Sequence, residues 1–291
     1  MRQRLSSDRI FYFLVISFSI IVLVITTYPF LYIFAVSFSS SEAVYRGAVY
    51  LWPVEPTLAG YQQVLKQSGL WIAYGNTLFY TFVGTLFNIA ATAIAAFPLS
   101  RKRFFARRFF NFFIVFTMYF SGGLIPTYLL ITSIGLYNSR WVMIIPTLLS
   151  TYNVMICRSA FSAIPEEVFE SAEIEGANDW QILRGIAIRL ITPTLAVLTL
   201  YYAVAHWNNF FTAMVYLSKQ NLMPVQVLLR RILIQASSEF LDMDTAVDDR
   251  SAVSIQIRYV TIIVTTVPIL TLYPFLQKYF IKGIMLGAVK G

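Results

Sequence analysis

Charge is scarce in this 291-residue chain: Asp, Glu, Lys and Arg together make up 12% of it, whereas 58% is hydrophobic. A soluble domain carries about 25% charged residues. The 22 basic and 14 acidic side chains are too few to cover a water-soluble body of this length, so a lipid bilayer is the expected solvent. Histidine occurs once, at His206, which excludes a histidine-pair zinc site or an H-E-x-x-H helix, and no metal site is expected. Cysteine also occurs once, at Cys157, so no internal disulfide exists and redox compartment cannot be read from it. Neither a G-x-x-x-x-G-K-[ST] loop nor a G-x-S-x-G elbow is present, which removes a nucleotide pocket or serine-hydrolase site within the chain. Acidic residues are missing from the long apolar runs, and that counts against a self-sufficient proton-coupled pump.

What the chain does have is uninterrupted apolar sequence. Charge-free intervals run from Ile10 to Ser41, Gln67 to Ser100, Phe109 to Ser139, Trp141 to Cys157, Leu190 to Ser218 and Tyr259 to Gln277. A spanning helix needs about 20 apolar residues. The pattern predicts an all-α polytopic membrane protein with six transmembrane helices near 11–38, 72–99, 109–131, 140–161, 191–217 and 258–281. The fourth interval is barely long enough, and a re-entrant hairpin is the alternative there. The whole chain, 1–291, reads as one transmembrane domain, with a segment 162–190 and a tail 282–291 on one side and a long loop 218–257 on the other.

Orientation follows from the cations. One side carries 14 Lys and Arg, the other 8, most of them in or beside the long loop. By the positive-inside rule both termini and the 162–190 segment are cytoplasmic. The net charge of +8 is then a consequence of topology, and no nucleic-acid partner is needed to explain it. The first apolar stretch is longer than a secretory signal core and has no small-residue cleavage pattern, so it reads as a retained span.

Six of the 14 acids fall between Glu166 and Asp179. Pro165 suits a helix start, and Glu166 and Glu167 place negative charge on the positive end of the helix dipole. Val168, Phe169 and Ala172 recur at helical spacing, Gly176 is a natural stop, and Asn178 with Gln181 forms a capping-box pattern for a second helix. An acidic cytoplasmic helix with an apolar stripe is a docking element, the stripe supplying contact area and the charges orientation. The alternative, a helix lying on lipid headgroups, is disfavoured because an anionic leaflet repels six acids.

Glu170-Ser171-Ala172, Gly176, Ile186 and Pro193 resemble the E-A-A…G…I-x-L-P signature of ABC importer membrane subunits. His206-Trp207-Asn208-Asn209-Phe210 resembles the W-N-[EDN]-F element of the fifth span, and the run Tyr279 to Gly291 resembles the Y-F-x-K-G…G-A-V-K-G tail of class 1 carbohydrate-uptake permeases. Within that class the wording is most similar to permeases of importers for acidic oligosaccharides, of the galacturonan or alginate type. Ser171 stands for the usual alanine, Glu175 for the usual aspartate and Arg189 for the usual proline, which moves the expected break entering the fifth span to Pro193.

The resemblance implies a type I importer permease fold in a bacterial inner membrane. It implies a coupling segment of Glu166, Glu167, Phe169, Glu170, Ser171, Ala172, Glu175, Gly176 and Ala177, which docks on an ATPase. The chain itself is then no enzyme and holds no cofactor; ATP and Mg sit on two partner ATP-binding cassette subunits. A second homologous permease, in a heterodimer, and an extracytoplasmic solute-binding protein complete the assembly, which passes oligosaccharide by alternating access. Asn153, His206, Trp207, Asn208 and Asn209 offer planar polar groups and an aromatic face at membrane depth for a sugar; the alternative is that they only bridge helices. In the long loop, Arg230 and Arg231 would meet an anionic sugar or acids on the binding protein, or are simply solvated. Two other classes stay open at this stage. One is a stand-alone carrier or channel. The other is a membrane enzyme acting on lipid-linked sugars, for which Asp242, Asp244 and Asp248 are the only acidic cluster.

Overall fold

A computed structural model of the chain describes residues 2–241 and 255–271. Among these residues every regular element is helical and none is a strand, which agrees with the all-α expectation. The chain divides into two units, Met1–Ser68 with Leu229–Val267, and Gly69–Leu228 with Pro268–Gly291.

In the first unit a helix runs unbroken over Arg2–Phe38, nine residues earlier than the apolar pattern predicts. Arg, Gln and Leu are good helix formers, so the polar start simply continues the span. From Ile10 to Leu31 its large apolar side chains are exposed, as on a surface solvated by lipid, while Ala35, Val36, Ala43 and Val49 form a small core at its far end. Gln256 fastens that end. It is 2% exposed, its Nε2 donates to the Ser39 carbonyl at 2.7 Å, and its Oε1 accepts from Ser41 Oγ at 2.7 Å. A Cβ on Gly60 would stand 3.1 Å from the Gln256 side chain, so the bare glycine backbone admits the amide. Gln256 belongs to the helix Ile255–Thr271, which therefore begins inside the stretch expected as external loop.

The second unit is built on the helix Ser68–Ser100, which with the first helix is one of two unbroken helices among the described residues long and apolar enough to cross a membrane. Three further helix pairs reach that length only when taken together across a bend. Where one span is expected over 109–131, Arg107–Tyr119 and Leu124–Ser133 meet at 114°. The break falls at Gly122-Gly123, and Gly123 has φ +82°, a conformation an L side chain resists. Over 140–161 the chain makes two short 3-10 turns around Pro146 before the helix Thr151–Ser162, with a bend of 51°; proline supplies no N–H to continue the ladder. The third bend, 84°, separates Asp179–Leu190 from Thr192–Trp207 and lies just before Pro193. Asp179–Leu190 contains one π-helical turn, Leu183–Ala187. Residues 208–217, expected within the fifth span, instead hold a break and the short helix Phe211–Tyr216.

The larger core of this unit joins Ala93, Ala96, Phe97, Val154, Cys157 and Phe161 from the span helices to Phe169, Ala172 and Ile182 from the 162–190 segment. That segment is thus packed onto the helix ends as part of the bundle.

Candidate functional site

The acidic helix spans Glu166–Ile174, starts directly after Pro165 and is closed at its C-terminal end by a glycine stop. Gly176, at φ +84°, donates to the Glu173 carbonyl at 3.0 Å while Ala177 donates to that of Ala172 at 2.9 Å, the paired bonds of a Schellman stop. The next helix opens with the predicted capping box. Gln181 N–H donates to Asn178 Oδ1 at 2.9 Å, and Asn178 N–H to Gln181 Oε1 at 2.8 Å.

The apolar stripe turns inward. Phe169 and Ala172 are 2% and 5% exposed, and the Phe169 ring meets that of Phe97 edge-on at 6.2 Å. These two residues, expected at the docking surface, hold the helix to its own chain. The outward face is Glu167, Glu170, Ser171 and Ile174, one helical stripe at spacings i, i+3, i+4 and i+7, with Glu175 and Gly176 beyond it. Ile174 is 87% exposed and Trp180 58%. The sequence reading overlooks both. The signal was present in Ile174, a large apolar residue out of register with the inward stripe.

Arginines read from the sequence only as topology markers clamp this helix. Arg101, 5% exposed, places Nη2 2.8 Å from Glu173 Oε1 and Nη1 3.1 Å from Glu166 Oε1, with its guanidinium 4.0 Å from the Phe169 ring centroid. Arg103 pairs with Glu173 at 2.7 Å and also with Asp179. Glu166, Glu173 and Asp179 are thereby neutralised inside the chain. Glu167, Glu170 and Glu175 make no ion pair among the described residues and face outward.

A second feature lies between the helices Thr151–Ser162 and Thr192–Trp207. A cavity of about 350 Å³ is bounded by Pro146, Thr147, Leu149, Ser150, Asn153, Tyr201, Tyr202, Ala205, His206 and Asn209. Asn153, His206 and Asn209 were predicted for the substrate path, and the fold brings them together here. Trp207 and Asn208 are not among the lining residues. Trp207 is 2% exposed with Tyr74 alongside, ring centroids 6.4 Å apart. Asn208 donates to the Val204 carbonyl at 3.0 Å and accepts from Gln226 Nε2 at 3.3 Å, the helix-bridging role held open as its alternative.

His206 is fixed by a buried relay. Asn88 Nδ2 donates to the carbonyls of Thr147 and Leu148 at 2.7 and 2.8 Å, which identifies Oδ1 as the atom facing His206 Nε2 at 2.6 Å. Nε2 therefore carries the proton, and a neutral ring keeps Nδ1 as an acceptor. Tyr202 accepts from Ser150 N–H at 3.2 Å and bonds Thr92 Oγ1 at 2.8 Å. Asn153 is buried and has no hydrogen-bond partner among the described residues, so its amide is available to a guest. The wall contains hydroxyl, amide and imidazole groups with two tyrosine rings and no charge, a lining suited to hydroxyl-rich ligands.

Arg230 and Arg231 are exposed on the helix Val225–Leu241. The acidic run Asp242, Asp244, Asp248 and Asp249, the last turns of the sixth predicted span and the tail motif lie outside the described residues.

A family model described as the binding-protein-dependent transport system inner membrane component matches residues 69–286. The polygalacturonan/rhamnogalacturonan transport system permease protein YtcP of Bacillus subtilis (strain 168) is 36% identical over 98% of this chain and 99% of its own. Protein LplC of the same organism is 36% identical over 92% of this chain and 90% of its own. In three dimensions the chain is similar to one from the crystal structure of a bacterial ABC transporter involved in the import of the acidic polysaccharide alginate, with TM-score 0.86 and 34% identity over 94% of this chain and 98% of that one.

Proposed function

Because the chain belongs to the family of binding-protein-dependent transport system inner membrane components, and is thereby the permease subunit of an ABC sugar importer, we propose that its cargo is an acidic, uronate-containing oligosaccharide. The observation that carries this reading is the agreement of two relatives over nearly the full chain. One is a polygalacturonan/rhamnogalacturonan permease, the other a component of an alginate importer, and both names specify polymers of acidic sugars.

The family implies an ATPase, a solute-binding protein and a second permease as partners. We assign two ATP-binding cassette subunits, carrying ATP and Mg, and a second permease of different sequence. The outward stripe Glu167, Glu170, Ser171, Ile174 with Glu175 and Gly176 is the coupling face. When the ATPase subunits close, the groove holding that stripe moves the helix and, through the Arg101 clamp, the ends of the spans. The two states must bind the ATPase with different affinity for hydrolysis to drive the change. Both termini lie in the cytoplasm, as the cation count requires.

Sugar passes beside Asn153, His206 and Asn209. This cavity has no cation, so it engages hydroxyl groups, and the carboxylates of a uronate are met elsewhere, by Arg230 and Arg231 or by a partner protein. The test is ATPase stimulation of the reconstituted importer with its binding protein over a panel of oligosaccharides. Stimulation by uronate oligomers and not by neutral glucans supports the assignment, and the reverse pattern refutes it.

A further inference from the structure

A second, smaller cavity, about 230 Å³, opens where the cytoplasmic ends of Ser68–Ser100 and Thr151–Ser162 meet the start of Arg107–Tyr119. Its wall holds four cations, Arg101, Lys102, Arg107 and Arg158, against a single carboxylate, Glu166. Glu166 is already committed to Arg101. Among the described residues Arg158 has only neutral partners, Asn111 Oδ1 at 3.0 Å and Met155 Sδ at 3.9 Å. Lys102 and Arg107 have no ion-pair partner among the described residues. Arg101 Nε and Arg158 Nε are buried donors without an acceptor among the described residues. A cavity with surplus donors and surplus positive charge is completed by an anion bearing several oxygens.

The surroundings identify the source of that anion. Arg107 begins a helix with no buried residue, and its aromatic side chains are bare: Phe109 is 64% exposed and Phe112 70%, with Phe105 just before it at 96%. A cationic cavity at the end of an apolar aromatic wall matches an amphiphile whose charged end and chains are adjoining. The volume is below the about 300–1,000 Å³ of ordinary small-molecule pockets, which fits one phosphate with part of its glycerol. We propose that this cavity binds the phosphate of an anionic glycerophospholipid of the inner leaflet, with its acyl chains along the phenylalanine face of Arg107–Tyr119. The lipid would sit beside the coupling helix, against the same Arg101 that clamps it.

The test is native mass spectrometry of the whole importer, purified in detergent after incubation with phosphatidylglycerol, counting retained lipid. The wild-type complex retains phosphatidylglycerol in preference to phosphatidylcholine. Arg107→Gln retains about fivefold less, the loss expected from removing one cation at an anionic lipid surface. Arg108→Gln, an exposed neighbour outside the cavity, retains as much as wild type. Lys102→Gln, exposed and thus harmless to folding, repeats the loss if Arg107→Gln assembles poorly. Equal retention by the Arg107, Lys102 and Arg108 variants overturns the site, including the case in which a partner protein fills it. Displacement by inorganic phosphate at millimolar concentration, with no lipid preference, overturns the lipid source and leaves a free-anion site.

Discussion

Gly84 and His206 test the packing behind the cavity beside Asn153, because the structure predicts that the two positions depend on one another. A Cβ at Gly84 would stand 2.5 Å from His206 Nε2, 2.6 Å from Cε1 and 2.9 Å from Cδ2. The ring cannot swing aside freely, since Nε2 is held at 2.6 Å by Asn88 Oδ1 and Asn88 is itself fully buried. Gly84→Ala must therefore strain the contact or break the hydrogen bond. Overpacking costs about 1–3 kcal/mol, and an orphaned buried acceptor adds about 1–3 kcal/mol.

His206→Ala removes the obstacle at its own cost, so adding Gly84→Ala to it incurs neither penalty again. The coupling energy of the cycle is then about 1–3 kcal/mol, well above the error of additive sites. Thermal unfolding of the purified importer containing each of the four chains reads this out. At roughly 2–4 °C per kcal/mol for chains of a few hundred residues, Gly84→Ala lowers the midpoint by several degrees in wild type and by almost nothing beside His206→Ala. Equal drops in the two backgrounds would refute the close packing of imidazole on glycine, and with it the fixed orientation of the His206 ring.

Glu170→Ala, which removes an outward carboxylate with no ion pair among the described residues, leaves the amount of assembled importer unchanged and lowers sugar imported per ATP hydrolysed; an unchanged ratio sinks its coupling role. Asn153→Leu, nearly isosteric, raises the half-saturating sugar–binding-protein concentration about 2–12-fold, the equivalent of one hydrogen bond of about 0.5–1.5 kcal/mol, in vesicle uptake. Gly176→Val forces a β-branched residue into φ +84°, at about 1–2 kcal/mol or more, and lowers the unfolding midpoint, whereas Gly135, also at positive φ but remote from the clamp, does so without changing coupling.

Local chemistry was readable from the sequence wherever neighbours in the chain decide it. The Gly176 stop and the Asn178–Gln181 box depend on residues within three or four positions of each other, and both form as read. The helical class follows from apolar runs that admit only helices in lipid. What escaped depends on contacts between distant residues. The choice between the two faces of Glu166–Ile174 is made by Phe97 and Arg101, some 70 residues upstream, so a stripe read as a docking surface became an anchor. Likewise the bend of 114° at Gly122-Gly123 is invisible to a charge-free count, which treats an interval as straight however its glycines are placed. Asn153 and His206 were legible as polar groups at depth, but the relay through Asn88 needed the fold.

These contacts put the two candidate sites on one mechanical element. Arg101 follows directly on the helix Ser68–Ser100, and the same helix carries Asn88 and Gly84, which back His206 in the cavity wall. At about 1.5 Å per residue, Arg101 and Asn88 are separated by roughly 20 Å of helix. Two ion pairs and a ring contact join the acidic helix to Arg101, and the helix that precedes Arg101 leads back to Asn88. Asn88 holds both His206 and the carbonyls of Thr147 and Leu148, at the bend in the Arg140–Ser162 segment. The acidic helix is thus joined, through one helix, to His206 and to the bend at Thr147 and Leu148, the two sides of the cavity wall. The low charge of the chain makes this arrangement economical. Three acids, Glu166, Glu173 and Asp179, fasten the helix, three others, Glu167, Glu170 and Glu175, make no ion pair among the described residues, and the wall beside Asn153 and His206 is polar but uncharged, so charge is concentrated where the helix is clamped and withheld from the cavity.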